Sequence, residues 1–246
     1  MKDTIQTYWR ELAGAMDAMP FDLVSRAASQ LLKCHFRGST VFIVGNGGSA
    51  ATASHFACDL AKGTRMAGLP AFRVVALTDN VPLLTAWAND TAYEHVFAQQ
   101  LAALVRENDL LVAISASGNS PNVLTCAEVA RAAGAGVIAL TGATGGKLRA
   151  LADLTIRVPS ACIEQVEDAH LMIAHSVCVA LRGRLAQRAA RTAHVDERAP
   201  FPAPVPAAAH RRSARPLRAR PGVVVPADEA PVPLELGRPP EQIAAG

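Results

Sequence analysis

The sequences GNGGS at residues 45–49 and SASGNS at residues 115–120 decide the fold predicted for this chain. Each follows a short apolar run typical of a buried strand, and each precedes a segment with helical spacing. Glycines at such a turn let the backbone approach a ligand, while serine hydroxyls and the free N–H groups of the following helix favour an anion. Two such turns predict a site for a phosphorylated small molecule.

Five apolar runs separated by helical intervals predict a parallel sheet covered on both faces. The predicted strands are residues 40–44, 72–77, 110–114, 136–140 and 154–158, and the predicted helices between them are residues 50–62, 82–87, 92–106, 121–133 and 146–151. Two helices with a break near Pro20 precede the first strand, and a long helix from about Ile163 to Ala186 follows the last. The fold class is an α/β three-layer sandwich with a five-stranded, parallel, doubly wound sheet. Its ligand site belongs at the carboxyl ends of the strands.

The distribution of proline sets the predicted end of the folded domain. Of the 16 prolines, 11 lie at or after Pro200, and no Phe, Trp or Tyr follows Phe201. Such a segment has little apolar surface to offset the entropy lost on ordering. We expect one folded domain over residues 1–190 and a disordered tail, rich in Pro, Ala and Arg, over residues 191–246.

Charge and cysteine usage argue against several classes of protein. The net charge is only +3, and acids are interspersed among the arginines of the tail, so the tail is interpreted as a solubilising extension and not as a nucleic-acid site. Five widely spaced cysteines without a C-x-x-C pair argue against a disulfide framework and a thiolate zinc site. The N-terminus does not resemble a signal peptide, and no apolar run has the length of a membrane span. A cytoplasmic protein is expected, without nucleic-acid or membrane partners.

The first turn also matches G-x-G-x-x-A, the loose form of the dinucleotide-binding fingerprint. That fingerprint needs a carboxylate about 20 residues further on, at the end of a second strand. The chain has no carboxylate near Arg65, and Asp79 lies farther away. The turn also lacks the Gly-Lys-Ser/Thr ending of a Walker loop. Neither nucleotide-binding motif is therefore complete.

Acidic and imidazole side chains lie on two of the predicted helices. His55 and Asp59 are one turn apart after the first glycine turn, so they share a face. Glu167 and His175 lie on the last helix, about 80° apart around its axis and close enough to reach one site. Proton transfer between two carbons needs an acid, a base and a group that polarises the carbonyl. His170, on the same helix, is interpreted as a solvated or satisfied core histidine.

The order of these motifs resembles the sugar isomerase (SIS) domain family, and within it the bacterial sedoheptulose-7-phosphate isomerases, also called phosphoheptose isomerases. The similar segments include GNGGSAATASHFACDL at residues 45–60, ALTDNVPLLTAWANDTAYEHVFAQQL at 76–101, SASGNSPNVL at 115–124, LTGATGGKL at 140–148 and HLMIAHSVC at 170–178. The resemblance covers about residues 4–188. It implies isomerisation of open-chain sedoheptulose 7-phosphate to a D-glycero-D-heptose 7-phosphate through an enediol or enediolate, on the way to activated heptoses. It also implies a homotetramer whose active sites are shared between neighbouring subunits.

The resemblance also implies which residues contact the substrate. Phosphate contacts fall on the serines of the second turn, where Ala116 replaces a more usual threonine and backbone N–H groups can substitute for the missing hydroxyl. A single serine there would be interpreted as a routine helix cap. The implied substrate-binding residues are Asn46, Gly47, Gly48, Ser49, Asn89, Asp90, Ser115, Ala116, Ser117, Ser120, Glu164 and Glu167.

The implied metal site departs from the usual pattern of the family. Members commonly carry His and Glu on the first of these helices and Gln and His on the last, as a zinc site in which the Glu is also the base. This chain has His55 with Asp59 and Glu167 with His175, two imidazoles and two carboxylates that suit tetrahedral zinc. The hypothesis is one zinc per subunit on these four residues, with His175 as the acid and Glu167 or Asp59 as the base. Because several pocket residues, Thr52 among them, differ from the usual set, an altro product is an alternative to the manno product.

Two other functions occur in proteins that share this fold. One relative of the enzymes is a tetramer that binds the bacterial replication initiator, and other SIS modules sense a sugar phosphate within a transcriptional regulator. The intact second turn and the pair of His55 and His175 favour an enzyme over the first. No DNA-binding domain is expected before the fold, which argues against the second.

Overall fold

The computed structural model describes residues 1–196, which form a five-stranded sheet in the order β2-β1-β3-β4-β5. The strands are β1 Thr40–Val44, β2 Arg73–Ala76, β3 Leu110–Ser115, β4 Gly136–Thr141 and β5 Leu154–Arg157. All neighbouring strands pair in parallel. Each strand agrees with its prediction to within one residue at either end, and the predicted fold class is confirmed.

The helices connect and cover these strands. They are α1 Lys2–Asp17, α2 Phe21–Arg37, α3 Gly48–Cys58, α4 Val81–Asp90, α5 Ala98–Ala102, α6 Pro121–Ala132, α7 Leu148–Leu151 and α8 Ile163–Asp196. A π-helical turn, Asp59–Gly63, continues α3, and a 3-10 turn, Tyr93–His95, precedes α5. Local sequence sets some of the starts. Asn80 caps α4 by accepting a 3.1 Å hydrogen bond from the Leu83 N–H.

Helices bury both faces of the central strands. Successive residues of such a strand point to opposite sides of the sheet, so they pack into two separate cores. On β1, Val41 and Ile43 face a core shared with α2, α3 and α8. Phe42 and Val44 face a second core shared with α5, α6 and α7. All four side chains are at most 2% exposed. The result is the predicted three-layer arrangement.

The continuous helix predicted over residues 92–106 is wrong. Its segment contains only the 3-10 turn and the five residues of α5. The buried Gln100 side chain donates to the carbonyls of Val96 and Leu77 at 2.8 and 3.2 Å, which holds this short helix against the end of β2. A tertiary contact therefore decides the local structure where helical spacing predicted a longer element.

The last helix is longer than predicted. It continues from the expected end at Ala186 to Asp196, past the predicted domain boundary at residue 190. Residues 197–246 lie outside the described residues, so the disordered tail over residues 191–246 stays a prediction. Within the described part of the chain, every helix is too short or too polar to cross a membrane.

β1 and β3 are neighbours at the point where the strand order reverses. Their pairing sets Val44 opposite Ala113. The chain leaves β1 through the first glycine turn and β3 through the second, so both turns emerge side by side at the carboxyl edge. Crevices at such reversal points are where open α/β sheets bind ligands.

The opposite edge of the sheet is held by a buried aspartate. Asp109 is 6% exposed, and its carboxylate accepts hydrogen bonds from the Thr40 N–H at 2.7 Å and from the Arg106 N–H at 2.8 Å. It therefore ties the start of β1 to the start of β3.

We predict that Asp109→Ala lowers the free energy of unfolding by about 2 kcal/mol, because two part-buried backbone donors lose their acceptor. Urea denaturation measures the change. The exposed neighbour Glu107 provides a matched control, and Glu107→Ala is expected to stay within about 0.5 kcal/mol of the wild type. Equal stability of the two variants would contradict this account.

His170 is buried in the core between α8 and the end of β4, but it is not satisfied as predicted. The residue is 0% exposed, and neither ring nitrogen has a hydrogen-bond partner of normal geometry. Burial lowers its pKa from 6.5 to about 4, against a weaker opposing effect of the Thr141 backbone. At neutral pH the imidazole is therefore uncharged, and it has no hydrogen-bond partner. Burial also lowers the pKa of His35.

Stability should therefore fall with acid before the carboxylates titrate. The unfolded chain binds a proton at His170 near pH 6.5, whereas the native state binds it only near pH 4, so acid favours unfolding between these values. We predict a loss of about 2.5 kcal/mol between about pH 7 and about pH 4.5 from this residue. Denaturation of wild type and His170→Leu at several pH values measures it. The variant should retain only the smaller slope that His35 contributes, and an unchanged slope would disprove the assignment.

Candidate active site

The second turn binds its own serine hydroxyls into a compact loop. Ser115 Oγ lies 3.1 Å from Ser120 Oγ and accepts a 3.2 Å hydrogen bond from the Gly118 N–H. Ser117 Oγ accepts from the Asn119 N–H at 3.1 Å. Ser120 precedes α6 as predicted, yet its side chain makes no capping hydrogen bond. The Val123 and Leu124 N–H groups at the start of α6 donate instead to the Ser120 backbone carbonyl, at 3.1 and 3.0 Å.

The loop after β4 supports this turn from behind. Gly118 has a φ of +65°, and a Cβ atom there would overlap the Gly145 carbonyl. The Leu148 N–H donates to the Gly118 carbonyl at 2.9 Å, and the Lys147 N–H donates to Asn119 Oδ1 at 3.0 Å. In the sequence, this loop was noted only within the segment LTGATGGKL at residues 140–148, which resembles the family. Its structural role is to fix the shape of the serine turn.

The first turn is also closely packed, and a side chain of α8 occupies part of the space beside it. Gly47 has a φ of +53°, and a Cβ at Gly45 would lie 2.6 Å from the Ser49 carbonyl oxygen. Ser49 is only 5% exposed. A Cβ at Gly48 would meet the Glu167 carboxylate at 2.5 Å. The Glu167 side chain therefore lies against the amino end of α3, where negative charge is favourable.

A reciprocal pair of side-chain amides joins the two turns. Asn46 Nδ2 donates to Asn122 Oδ1 at 2.9 Å, and Asn122 Nδ2 donates to Asn46 Oδ1 at 2.8 Å. The Tyr93 hydroxyl donates to the same Asn46 oxygen at 3.2 Å. Sequence reasoning missed Asn122 and Tyr93. The available signal was an amide among apolar residues on the buried face of α6.

An imidazole and carboxylate cluster lies farther along α3 and α8. His55 Nε2 and His175 Nε2 are 3.0 Å apart, and Asp59 Oδ2 lies 3.5 and 3.8 Å from these two nitrogens. One ligand atom from each of the three residues lies within 4.8 Å of the others. The side chains are 48%, 31% and 48% exposed for His55, Asp59 and His175. The predicted association of these three residues is present in the structure.

In the structure the Glu167 carboxylate lies against Gly48 and is not among the three grouped ligand atoms, so its place in the set of four stays a prediction. α3 and α8 lie side by side with Gly48 beside Glu167 and His55 beside His175. Glu167 precedes His175 by eight residues, about 12 Å along the helix. The angle between Glu167 and His175 around α8 is compatible with a shared site. The register of α8 along α3 nevertheless places the Glu167 carboxylate at the amino end of α3, away from His55.

Three further predicted contacts lie at helix ends. Glu164 is in the first turn of α8, where a hydrogen bond from the Cys162 thiol at 3.1 Å lowers the pKa of its exposed carboxylate. Asn89 and Asp90 are the last residues of α4, which extends beyond the predicted helix end at residue 87, and Asn89 Nδ2 donates to Asp90 Oδ1 at 2.9 Å. Both are exposed, so their contact with substrate stays a prediction.

Comparisons with known proteins agree with this architecture. Residues 7–142 match the family model for the SIS domain. A phosphoheptose isomerase of Rhodospirillum rubrum is 40% identical over 182 residues, a match that covers 72% of this chain and 95% of the relative. A phosphoheptose isomerase of Aliarcobacter butzleri is 41% identical over 161 residues, covering 65% of this chain and 82% of the relative.

Solved structures give the same result. The phosphoheptose isomerase of Neisseria gonorrhoeae superposes with a TM-score of 0.69 at 32% identity, covering 74% of this chain and 98% of that one. The phosphoheptose isomerase of Francisella tularensis also gives 0.69, at 34% identity, with 74% and 97% covered. Together with the serine turn and the histidine cluster, these matches show that the chain belongs to the SIS domain family and, within it, to the phosphoheptose isomerases, which are sugar-phosphate isomerase enzymes.

Proposed function

We propose that this enzyme converts sedoheptulose 7-phosphate to a D-glycero-D-heptose 7-phosphate in the synthesis of activated heptoses. The observation that carries the proposal is the cluster of His55, Asp59 and His175, which brings two imidazoles and a carboxylate within reach of one carbonyl. The relatives named above are called phosphoheptose isomerases, which supports a heptose phosphate as the substrate. The manno product is proposed, with the altro product as the alternative outcome of the product assay.

The phosphate is proposed to bind the second turn. Ser115, Ser117 and Ser120 offer hydroxyls there, and the amino end of the 12-residue helix α6 favours negative charge. Ala116 offers backbone groups only. The network behind the turn keeps it in shape without the ligand, which lowers the entropy lost on binding.

The reaction moves one proton between neighbouring carbons of the open-chain sugar. A base removes a proton from carbon 1, and the C=C bond of an enediolate forms as the oxygen on carbon 2 takes up the electron pair of the carbonyl. That oxygen then gains a proton, the hydroxyl on carbon 1 loses its proton and becomes the aldehyde carbonyl, and an acid delivers a proton to carbon 2. The sequence alone did not decide whether Glu167 or Asp59 is the base. The geometry favours Asp59, because its Oδ2 faces both imidazoles while Oδ1 is left to accept a proton. His175 is the proposed acid.

A zinc ion fits the donor set of this cluster. Two imidazole nitrogens and one carboxylate oxygen are the ligands of many catalytic zinc sites, which leave a fourth position open. His55, Asp59 and His175 would hold the ion. It would supply a Lewis acid that polarises the carbonyl oxygen.

The assembly is proposed to be a homotetramer with shared active sites, located in the cytoplasm. About half of each cluster imidazole is exposed in the single chain, which leaves surface for substrate or a neighbouring subunit. The predicted domain boundary at residue 190 falls within α8, and the Pro-, Ala- and Arg-rich tail is proposed to follow that helix.

Incubation with sedoheptulose 7-phosphate, followed by NMR of the product, tests the reaction and its stereochemistry together. Asp59→Asn is expected to lower kcat at least 100-fold, on the order of the usual loss for a general base. Glu167→Gln should retain most of the turnover because its carboxylate lies at the far end of α3. The reverse ranking would assign the base to Glu167, and no aldose from the wild type would reject the function.

Metal content separates the roles of the same residues. After zinc loading and dialysis, His55→Ala is expected to retain far less zinc than the wild type, because one of the three ligands is lost. Glu167→Gln should retain the wild-type content. Equal zinc loss in both variants would restore the four-residue site predicted from the sequence.

A further inference from the structure

The amide pair of Asn46 and Asn122 accounts for nearly all the hydrogen-bonding capacity of Asn46. A side-chain amide has two N–H donors and one oxygen with two lone pairs. The Asn46 oxygen accepts from Asn122 and from Tyr93, so both lone pairs are used. One of its two N–H groups is donated to Asn122. The capacity left for a ligand is a single N–H donor.

The partner residue is placed to hold this orientation. Asn122 is 2% exposed and lies in the first turn of α6. Rotation of the Asn46 amide would set oxygen against oxygen and N–H against N–H across a buried contact, which is unfavourable. Asn46 itself is half-buried at the carboxyl edge of the sheet.

Tyr93 adds a second polar group at the same place. Its side chain is 61% exposed while its hydroxyl is held on the Asn46 oxygen. The hydroxyl proton is used in that bond, and the phenolic oxygen remains free to accept a hydrogen bond. A donor and an acceptor therefore stand next to each other, which is the complement of a sugar hydroxyl.

From this geometry we propose that Asn122 is a positioning residue that fixes Asn46 as a hydrogen-bond donor, and that Asn46 and Tyr93 together bind one hydroxyl group of the sugar chain. The inference rests on the proposed function for the identity of the sugar phosphate. It assigns to Asn122 and Tyr93 a role in selecting a hydroxylated chain, separate from binding of the phosphate. A hydroxyl bound equally in ground and transition states changes KM and not kcat.

The proposal requires that sugar and phosphate affinities respond separately. Calorimetry with sedoheptulose 7-phosphate and with inorganic phosphate measures the two Kd values, and steady-state kinetics give KM and kcat. Asn122→Leu keeps the branched shape and frees the Asn46 amide. It should raise Kd and KM for the sugar phosphate about tenfold, the effect of losing a positioned hydrogen bond. The Kd of inorganic phosphate and kcat should stay within about twofold.

Two further variants test whether the effect of Asn122→Leu comes from a general disturbance of α6 and not from the loss of the Asn46 contact. Tyr93→Phe removes one hydroxyl from an exposed side chain, so folding is preserved, and it should raise the sugar-phosphate Kd about threefold without affecting phosphate. Thr125→Val is the control, because it removes a 3.0 Å hydrogen bond to the Pro121 carbonyl in the same turn of α6 without touching Asn46. It should leave both ligands unchanged.

Each outcome decides the inference. Equal weakening of both ligands in Asn122→Leu would show a merely structural role, and unchanged sugar binding in Asn122→Leu and Tyr93→Phe would overturn the contact. Wild-type protein that binds the sugar phosphate no more tightly than inorganic phosphate would overturn it as well. Wild-type protein that binds the sugar phosphate with the predicted variant effects, but forms no aldose, would reject the proposed reaction while supporting this inference.

Discussion

The pairing of β1 with β3 is the constraint on which the site depends. Parallel hydrogen bonding with Val44 opposite Ala113 makes both strands end at the same level. Two turns that are 70 residues apart along the chain then begin side by side, and the Asn46–Asn122 pair joins them. The apolar residues on both faces of β1 keep that strand in the sheet, so a hydrophobic pattern fixes the position of polar groups.

Much of the fold could be predicted because its signals are local. A strand buried on both faces is a continuous apolar run, and a turn into a helix needs small or capping residues at its own positions. The bounds of β1 and the start of α6 at Pro121 follow from such signals. α5 does not, because its length depends on the Gln100 side chain and its contact with Leu77, which helical spacing does not encode.

For the site as well, contacts within one helix could be predicted from the sequence, whereas contacts between elements could not. The i, i+4 spacing of His55 and Asp59 is a property of one helix, and the structure keeps it. The place of Glu167 depends on how α8 slides along α3, and periodicity gives an angle around a helix but no position along its neighbour. Asn122 was missed because its partner is 76 residues away. His170 shows the same limit, since the sequence left a solvated and a buried, hydrogen-bonded imidazole as alternatives, whereas the side chain is buried without a hydrogen-bond partner.

The contact of Glu167 with Gly48 makes the two ends of the crevice between the glycine turns electrostatically different. Of the two helix amino ends that meet at the carboxyl edge, the one at α3 already carries a negative charge supplied by the protein itself. A second anion placed there would be repelled, whereas the uncharged hydroxyls of Ser115 and Ser120 lie at the amino end of α6. A molecule with one charged end and one neutral end can therefore enter in a single polarity, and a bis-phosphorylated sugar would be disfavoured at its second phosphate.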